Sequence, residues 1–416
     1  MRDSARIPES AVLVLALSAW PLAAQRPVAG RVGDLPSRAA AERESTARRR
    51  ALLSLHETRA SGGMRLSDRR VRADTTGAEL FEIGCASCHG MDGKGAGPGR
   101  VAFEIPLPDF TDCSFASREP LADWLAIVHA GGPVRGFDTT MPAFGEAFSN
   151  EQILSILEHV RTFCPDPSWP RGELNLPRAM VTEKAYPEDE AVSTLSVDYD
   201  GPGSVMNEIV YERRFGVRNQ WELKIPFGAV ETGAGGDWQG GLGDIEVGLK
   251  RTMWHSLASG SIFALGVDAG LPTGRESVGL GKGTVVFEPY TSFGQIIAEN
   301  GFFQFQGAVE VPVEEKPGAE KEGLWRGVLG WTLMQNGGLG RSWTPMLEVL
   351  GARELEGGGG TAWDLIPQIQ VSINTRQHLL ANIGVRLPLS DSGSRSSTFL
   401  FYILWDWFDG GFFDGW

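Results

Sequence analysis

The sequence predicts two unlike folds in one chain: a small all-α domain followed by an antiparallel transmembrane β-barrel of about twelve strands. Three observations carry that expectation. Between Thr75 and Cys164, apolar residues recur at helical spacing between polar caps and glycine stops. After Ala191 the period falls to two, with apolar and polar side chains alternating along each run. The 54 glycines among 416 residues crowd into that second half, as turn-rich β structure requires.

A chain of this length exceeds one ordinary core. With 38 Lys and Arg against 52 Asp and Glu it is acidic, which argues against nucleic acid as a partner. The opening residues have a charged start, an apolar run from Ala11 to Ala24 and a small-residue end, the pattern of a secretory signal over residues 1–24. That run is too short to cross a bilayer as a helix, and no later stretch is apolar for long enough. Residues 25–73 follow as a basic arm, disordered or partly helical. Twelve arginines stand there against five acidic residues, with little apolar surface to bury.

Residues 74–168 form the helical domain. "TTGAELFEIGC" opens a short first helix. "SREPLADWLAIVHAGG" reads as a second, with Ser117 as N-cap and a Gly-Gly stop. "SNEQILSILEHVRTFC" reads as a third, capped by Ser149 or Asn150, with Ile153, Leu154, Leu157 and Val160 on one face. Residues 169–191 belong to a stretch with five prolines and read as an extended linker.

In the barrel region, residues 192–416, about twelve alternating segments start between Val192 and Thr398. In "FFQFQGAVEVPV", Phe303, Phe305, Val309, Val311 and Val313 share one face, with Gln304, Gln306 and Glu310 opposite. "WDLIPQIQVSIN" sets Trp363, Leu365, Ile369, Val371 and Ile373 against Asp364, Gln368, Gln370, Ser372 and Asn374. Pro312 and Pro367 sit discordantly in these runs, since proline weakens a central strand. Connections alternate short and long, and tryptophans such as Trp221, Trp238, Trp325, Trp331, Trp343, Trp363 and Trp405 recur near segment ends. A soluble β-sandwich asks for neither feature. If the longer loops face outward, both barrel ends and the helical domain face the periplasm. Inward polar residues such as Glu222, Lys224, Asp244, Glu246, Glu310 and Asp364 fit a wet lumen and equally a packed, salt-bridged one.

The chemistry lies in "CASCH". Cys85 and Cys88 stand on adjacent turns, where their sulfurs can add to the two vinyl groups of one haem, and His89 follows on the proximal side of the iron. A thioredoxin-like pair or half a zinc site does not require the histidine, and no second close cysteine pair completes a four-cysteine site. Of the four cysteines, Cys113 and Cys164 remain, either joined as a disulfide in an oxidising compartment or present as two buried thiols.

On "CASCHGMDGKGAG", "PLPDFTD" and "MPAFGEAFSNEQILSILEHVRTF", the segment from Thr75 to Cys164 resembles the small class I cytochrome c domains. The resemblance implies one covalently attached haem c, with Met141 as the distal ligand and the last helix packed across the first. It also implies that a carbonyl of Pro108 or Pro106 receives the proximal imidazole proton. His129 and His159 fall within helical segments and are taken as structural. The last 225 residues resemble the transporter-like outer-membrane barrels of Gram-negative bacteria, on patterning and on "GDIEVGLKR" and "WDWFDGGFFDGW".

A Met/His pair fills both axial positions, so the expected activity is one-electron transfer rather than catalysis. The expected protein is a monohaem c-type cytochrome moored in outer-membrane lipid, exchanging electrons with a periplasmic or membrane redox protein. The alternative is a pore or transporter for a small solute, with the redox-active domain at its periplasmic mouth.

Overall fold

The computed structural model describes residues 75–97, 99–101, 107–201, 203–232, 236–298, 300–334, 341–356, 359–374, 376–391 and 395–406. The secretory signal, the basic arm, Pro106 and the aromatic end beyond Asp406 lie outside these residues.

Among the described residues five α-helices come first: α1 Gly77–Gly84, α2 Ala86–His89, α3 Cys113–Ala116, α4 Leu121–Ala130 and α5 Asn150–Arg161. Helix α1 starts at a capping box in which the Thr76 hydroxyl accepts the Glu79 amide and Glu79 reaches back to the Thr76 amide. Ser149 and Gln152 do the same for α5, which settles the choice between Ser149 and Asn150. Helix α4 departs from expectation. It begins after Pro120 rather than at Ser117, which instead ends α3, and its Leu121 amide donates to Glu173 Oε1 from downstream. Proline cannot donate within a helix, so it sets the boundary. On α5 the buried residues are Ile153, Ile156, Leu157 and Val160, with Ile156 replacing the expected Leu154.

Helices α1 and α5 cross tightly. A Cβ at Gly77 would collide with the Ser155 carbonyl, so only glycine allows that approach. Leu80, Phe81, Phe110, Phe148, Ile153, Ile156 and Leu157 form the core around the crossing. Cys113 and Cys164 are joined in a disulfide with Cα atoms 5.3 Å apart, tying the chain after α5 to the start of α3.

Fourteen strands follow: β1 Glu190–Asp198, β2 Ser204–Phe215, β3 Asn219–Thr232, β4 Asp237–Leu242, β5 Ile245–Ser256, β6 Ser261–Leu271, β7 Val286–Ile296, β8 Gly301–Pro312, β9 Glu322–Trp331, β10 Leu333–Met334, β11 Ser342–Glu354, β12 Ala362–Ser372, β13 Leu379–Pro388 and β14 Thr398–Asp406. β4 and β5 both pair with β3, and β9 and β10 both pair with β11, so each couple is one interrupted stave. The result is twelve antiparallel staves, closed where β1 pairs with β14 from Glu190↔Asp406 to Asp198↔Thr398. Closure gives every stave two hydrogen-bonded neighbours, with β4 and β10 each paired on one side only, and paired backbone is the condition for a lipid environment.

The side-chain alternation runs as the sequence predicts. Phe303, Phe305, Val309 and Val311 face outward, each more than a third exposed, while Gln304 and Gln306 are buried inside. Val205, Ile209, Leu249, Leu265, Leu329, Ile369 and Ile403 continue the outer apolar belt. Tryptophans mark both rims: Trp221, Trp254 and Trp331 toward the short turns, Trp238, Trp325 and Trp363 toward the long loops. On β9 the two tryptophans are about 20 Å apart at strand rise, close to the height of a lipid-facing band. Pro312 ends β8, and Pro367 falls where the β12–β13 ladder skips from Leu365↔Leu387 to Gln368↔Gly384.

The segment before β1 is not a solvated linker. From Gly172 to Asp189 the chain enters the lumen, turns near Met180 and returns to begin β1, with residues 182–189 all buried. Leu174, Leu176, Ala179, Ala185 and Tyr186 join apolar clusters with Ile262, Ala264, Phe302, Val328 and Met346 of the wall. Met180 and Val181 pack against Leu350, Ile366 and Leu400. The sequence of this luminal strap reads as a linker because its prolines and charges are also the signature of solvated chain.

Candidate functional site

The thiols of Cys85 and Cys88 and the imidazole of His89 are presented by α2, which follows directly on α1. The His89 and Cys88 amides both donate to the Cys85 carbonyl, at 2.9 and 3.1 Å. Gly90, at φ +73, then turns the chain, and the Gly95 and Ala96 amides return to the carbonyls of His89 and Cys88. His89 stacks on Phe110 with centroids 5.0 Å apart, and Phe110 leans on Trp124.

Burial pushes the Cys85 thiol up to about 11, with Cys88 adding to the shift. A redox-active CxxC pair needs the opposite, a depressed thiol, so the thioredoxin-like reading loses its chemical basis. Burial also lowers the His89 imidazole from its ordinary value, which keeps it neutral and ready to bind a metal. His89 Nδ1 is buried and has no hydrogen-bond partner among the described residues. Pro108, partly buried, is described and makes no such bond, while Pro106 lies outside the description.

Met141 is partly buried against the helical core, on the loop after α4. Its carbonyl accepts the Gly132 amide at 3.0 Å, and the Phe144 and Gly145 amides donate to the carbonyls of Val128 and His129. Gly131, at φ +83, allows that fold-back, and a side chain there would press on the Met141 carbonyl. The rival histidines are engaged elsewhere. The His129 ring covers Gly145, and His159 packs edge-on against Phe81 and Phe163. Two thiols, one imidazole with an orphaned buried nitrogen and one thioether in an aromatic wall fit a haem.

Residues 72–160 match the family model described as cytochrome C oxidase, cbb3-type, subunit III. This segment is a cytochrome c domain. No curated protein matches the chain. Among solved structures, the KdgM porin aligns with 52% of this chain and 99% of its own at 8% identity and a TM-score of 0.36. The NanC porin aligns with 52% and 98% at 7% identity and a TM-score of 0.37. LpxR from Salmonella typhimurium aligns with 52% and 100% at 8% identity and a TM-score of 0.34.

The cytochrome domain is bound to the barrel through the strap, at the short-turn end. The Gly172 amide donates to the Ser117 carbonyl at 2.8 Å, and Glu173 pairs with Arg161 of α5. At the other end of the strap, Arg118 forms a 2.6 Å ion pair with Asp189. The Arg376 guanidinium lies 4.3 Å from the Phe137 ring centroid.

Within the lumen the strap bonds to staves all round the ring. Glu348 Oε1 accepts the amides of Val181 and Thr182 and the Thr182 hydroxyl, at 3.2, 2.6 and 2.6 Å. Gln304 donates to the Pro177 carbonyl, and Gln370 and the Tyr402 hydroxyl both donate to that of Arg178. Thr252 donates to the Ala185 carbonyl, and Gln220 Oε1 accepts the Glu188 amide. Arg178 pairs with Glu190 and Glu212, and Lys250 with Glu183. Of the residues expected to face inward, Glu222 and Asp364 are buried and Lys224 bridges Glu222 and Asp268. Asp244, Glu246 and Glu310 line a cavity of about 620 Å³ on the long-loop side. The lumen is thus packed and salt-bridged at the strap, with a cavity on its long-loop side.

The sequence carried a faint sign of the strap. Leu174, Leu176, Met180, Val181 and Tyr186 are too apolar for a solvated linker, and the barrel's inward glutamines and glutamates need partners.

Proposed function

We propose that this protein is an outer-membrane cytochrome c that carries single electrons on the periplasmic side, with its barrel acting as a plugged mooring. The observation that carries this reading is the strap: a lumen filled by the chain's own hydrogen-bonded segment suits an anchor better than a pore. The outer apolar belt would be unfavourable in water over so large an area, and ring closure pairs the staves as a lipid environment requires. Short turns face the periplasm in outer-membrane barrels, and the cytochrome domain lies at the short-turn end.

In this reading Cys85 and Cys88 would hold one haem covalently, His89 and Met141 would ligate its iron, and the carbonyl of Pro108 or Pro106 would accept a hydrogen bond from His89 Nδ1. A haem with two protein axial ligands supplies one-electron exchange with little rearrangement. The chain's own residues supply the rest. Phe110 and Trp124 fix the His89 ring, the Gly131–Gly132 turn places the Met141 loop, and the α1–α5 crossing holds α2 in place. Mooring the domain beside a membrane-bound or periplasmic redox protein raises its effective concentration. With both His89 and Met141 as its ligands, the iron would supply electron exchange rather than oxygen or peroxide chemistry, which favours a carrier over an enzyme.

Fractionation with haem staining tests the assignment. The stain is expected in the outer membrane, and mass spectrometry should show one haem per chain, retained on denaturation. Stain confined to the soluble periplasm, or haem lost in denaturant, would overturn it.

A further inference from the structure

We propose that the lumen binds one hard divalent cation, of the calcium or magnesium class, between Glu183 of the strap and Glu212 and Glu222 of the wall. This goes beyond electron transfer and does not depend on it. Glu212 and Glu222 face each other in register on β2 and β3. Each of the three residues offers a carboxylate oxygen, and the three oxygens lie within 4.8 Å of one another. An ion at the usual 2.3–2.6 Å from such ligands needs only small side-chain shifts to reach all three.

The charge balance points the same way. Around the three glutamates, Glu183 pairs with Lys250, Glu212 shares Arg178 with Glu190, Glu188 and Glu190 share Lys184, and Glu222, Glu246 and Asp268 share Lys224. Seven acidic groups there share four basic ones. A buried carboxylate short of cationic partners is unfavourable, and a dication between the three glutamates would offset that cost. Lys250, Arg178 and Gln220 already hold Glu183 and Glu212 in position.

Two further groups point to a ligand. The Tyr290 hydroxyl, on a residue only 3% exposed, has no hydrogen-bond partner among the described residues. Its ring lies over Gly266, whose register partner on β5 is Lys250, and the charges that bear on it include Glu183, Glu222 and Asp268. Asp268 Oδ1 is also buried without a hydrogen bond. Gly248 stands in register between Glu222 and Asp268, and a side chain there would strike both carboxylates. An all-oxygen donor set selects a hard cation over zinc or copper. Asp268, the neighbour of Glu222 across Gly248, also lines the cavity of about 620 Å³ on the long-loop side.

The test uses the full-length haem-loaded protein in detergent, stripped with EDTA, reloaded with calcium chloride, desalted and assayed for metals. Haem iron counts the folded chains. One calcium per iron is expected for wild type, none for Glu222→Gln and Glu212→Gln at unchanged haem content, and wild-type uptake for Glu310→Gln at the cavity mouth. No calcium in wild type, or full uptake by Glu222→Gln, would overturn the site. Loss of uptake only in Glu310→Gln would place the ion in the mouth cavity and overturn it equally. Should both glutamine variants lack haem, Tyr290→Phe is the substitute. It keeps the charges and is expected to weaken calcium binding in a titration of the stripped protein, and unchanged affinity would count against the site.

Discussion

His378 Nε2 lies 3.1 Å from Glu119 Oε1, joining the turn between β12 and β13 to the loop before α4. Its other ring nitrogen is 3.6 Å from Asp406 Oδ1 at the end of β14. Two residues earlier, Arg376 covers Phe137 and reaches toward the Gly136 carbonyl. One barrel turn therefore grips the cytochrome domain at two points, and the second lies in the segment that leads to Met141.

That grip is measurable. Arg376→Ala removes a cation–π contact of about 0.5–1 kcal/mol. Hydrogen exchange in residues 132–138 is expected to rise a few-fold, with the barrel amides unchanged. Unaltered exchange there would mean that the turn only touches the domain.

The α1–α5 crossing rests on Gly77. Gly77→Ala forces a Cβ into the Ser155 carbonyl and is expected to cost about 1–3 kcal/mol, as overpacking does. The yield of haem-loaded protein should fall with it. Gly97→Ala has nothing within 4 Å of the new atom and serves as the neutral control. Equal yields from both variants would remove the crossing from the account.

Much of this was legible in the sequence, and the exceptions share a cause. Twelve staves, their inward and outward faces, the capped first and last helices and the "CASCH" site follow from periodicity and local chemistry, which each segment carries by itself. The strap does not. "TEKAYPEDE" reads as solvated chain because partners of its charges, Lys250, Arg118 and the Arg214 amide, are scattered over the sequence and meet only when the ring closes. The start of α4 was misplaced for a similar reason, since its first free amide is satisfied by Glu173, 52 residues away.

Removing the disulfide through Cys113→Ser with Cys164→Ser is expected to cost about 2–4 kcal/mol in the cytochrome domain, which it closes into a long loop. Urea unfolding followed at the haem band should shift to lower midpoint, and wild type in strong reductant should match the double variant. Coincident curves for oxidised and reduced wild type would contradict this.

Glu348 is the main anchor of the strap's apex. Glu348→Ala leaves two amides and a hydroxyl without their acceptor in a buried place, at about 1–3 kcal/mol for each group left unsatisfied. Exchange of the Val181 and Thr182 amides is expected to accelerate by more than tenfold, with haem content unchanged.

The most direct test of the plugged mooring is electrical. Purified full-length protein in a planar lipid bilayer is expected to insert without steady conductance, and a variant with residues 174–186 replaced by a glycine-serine segment is expected to open a stable channel. Steady ohmic current through the wild-type protein would contradict the account and return the barrel to the role of a pore.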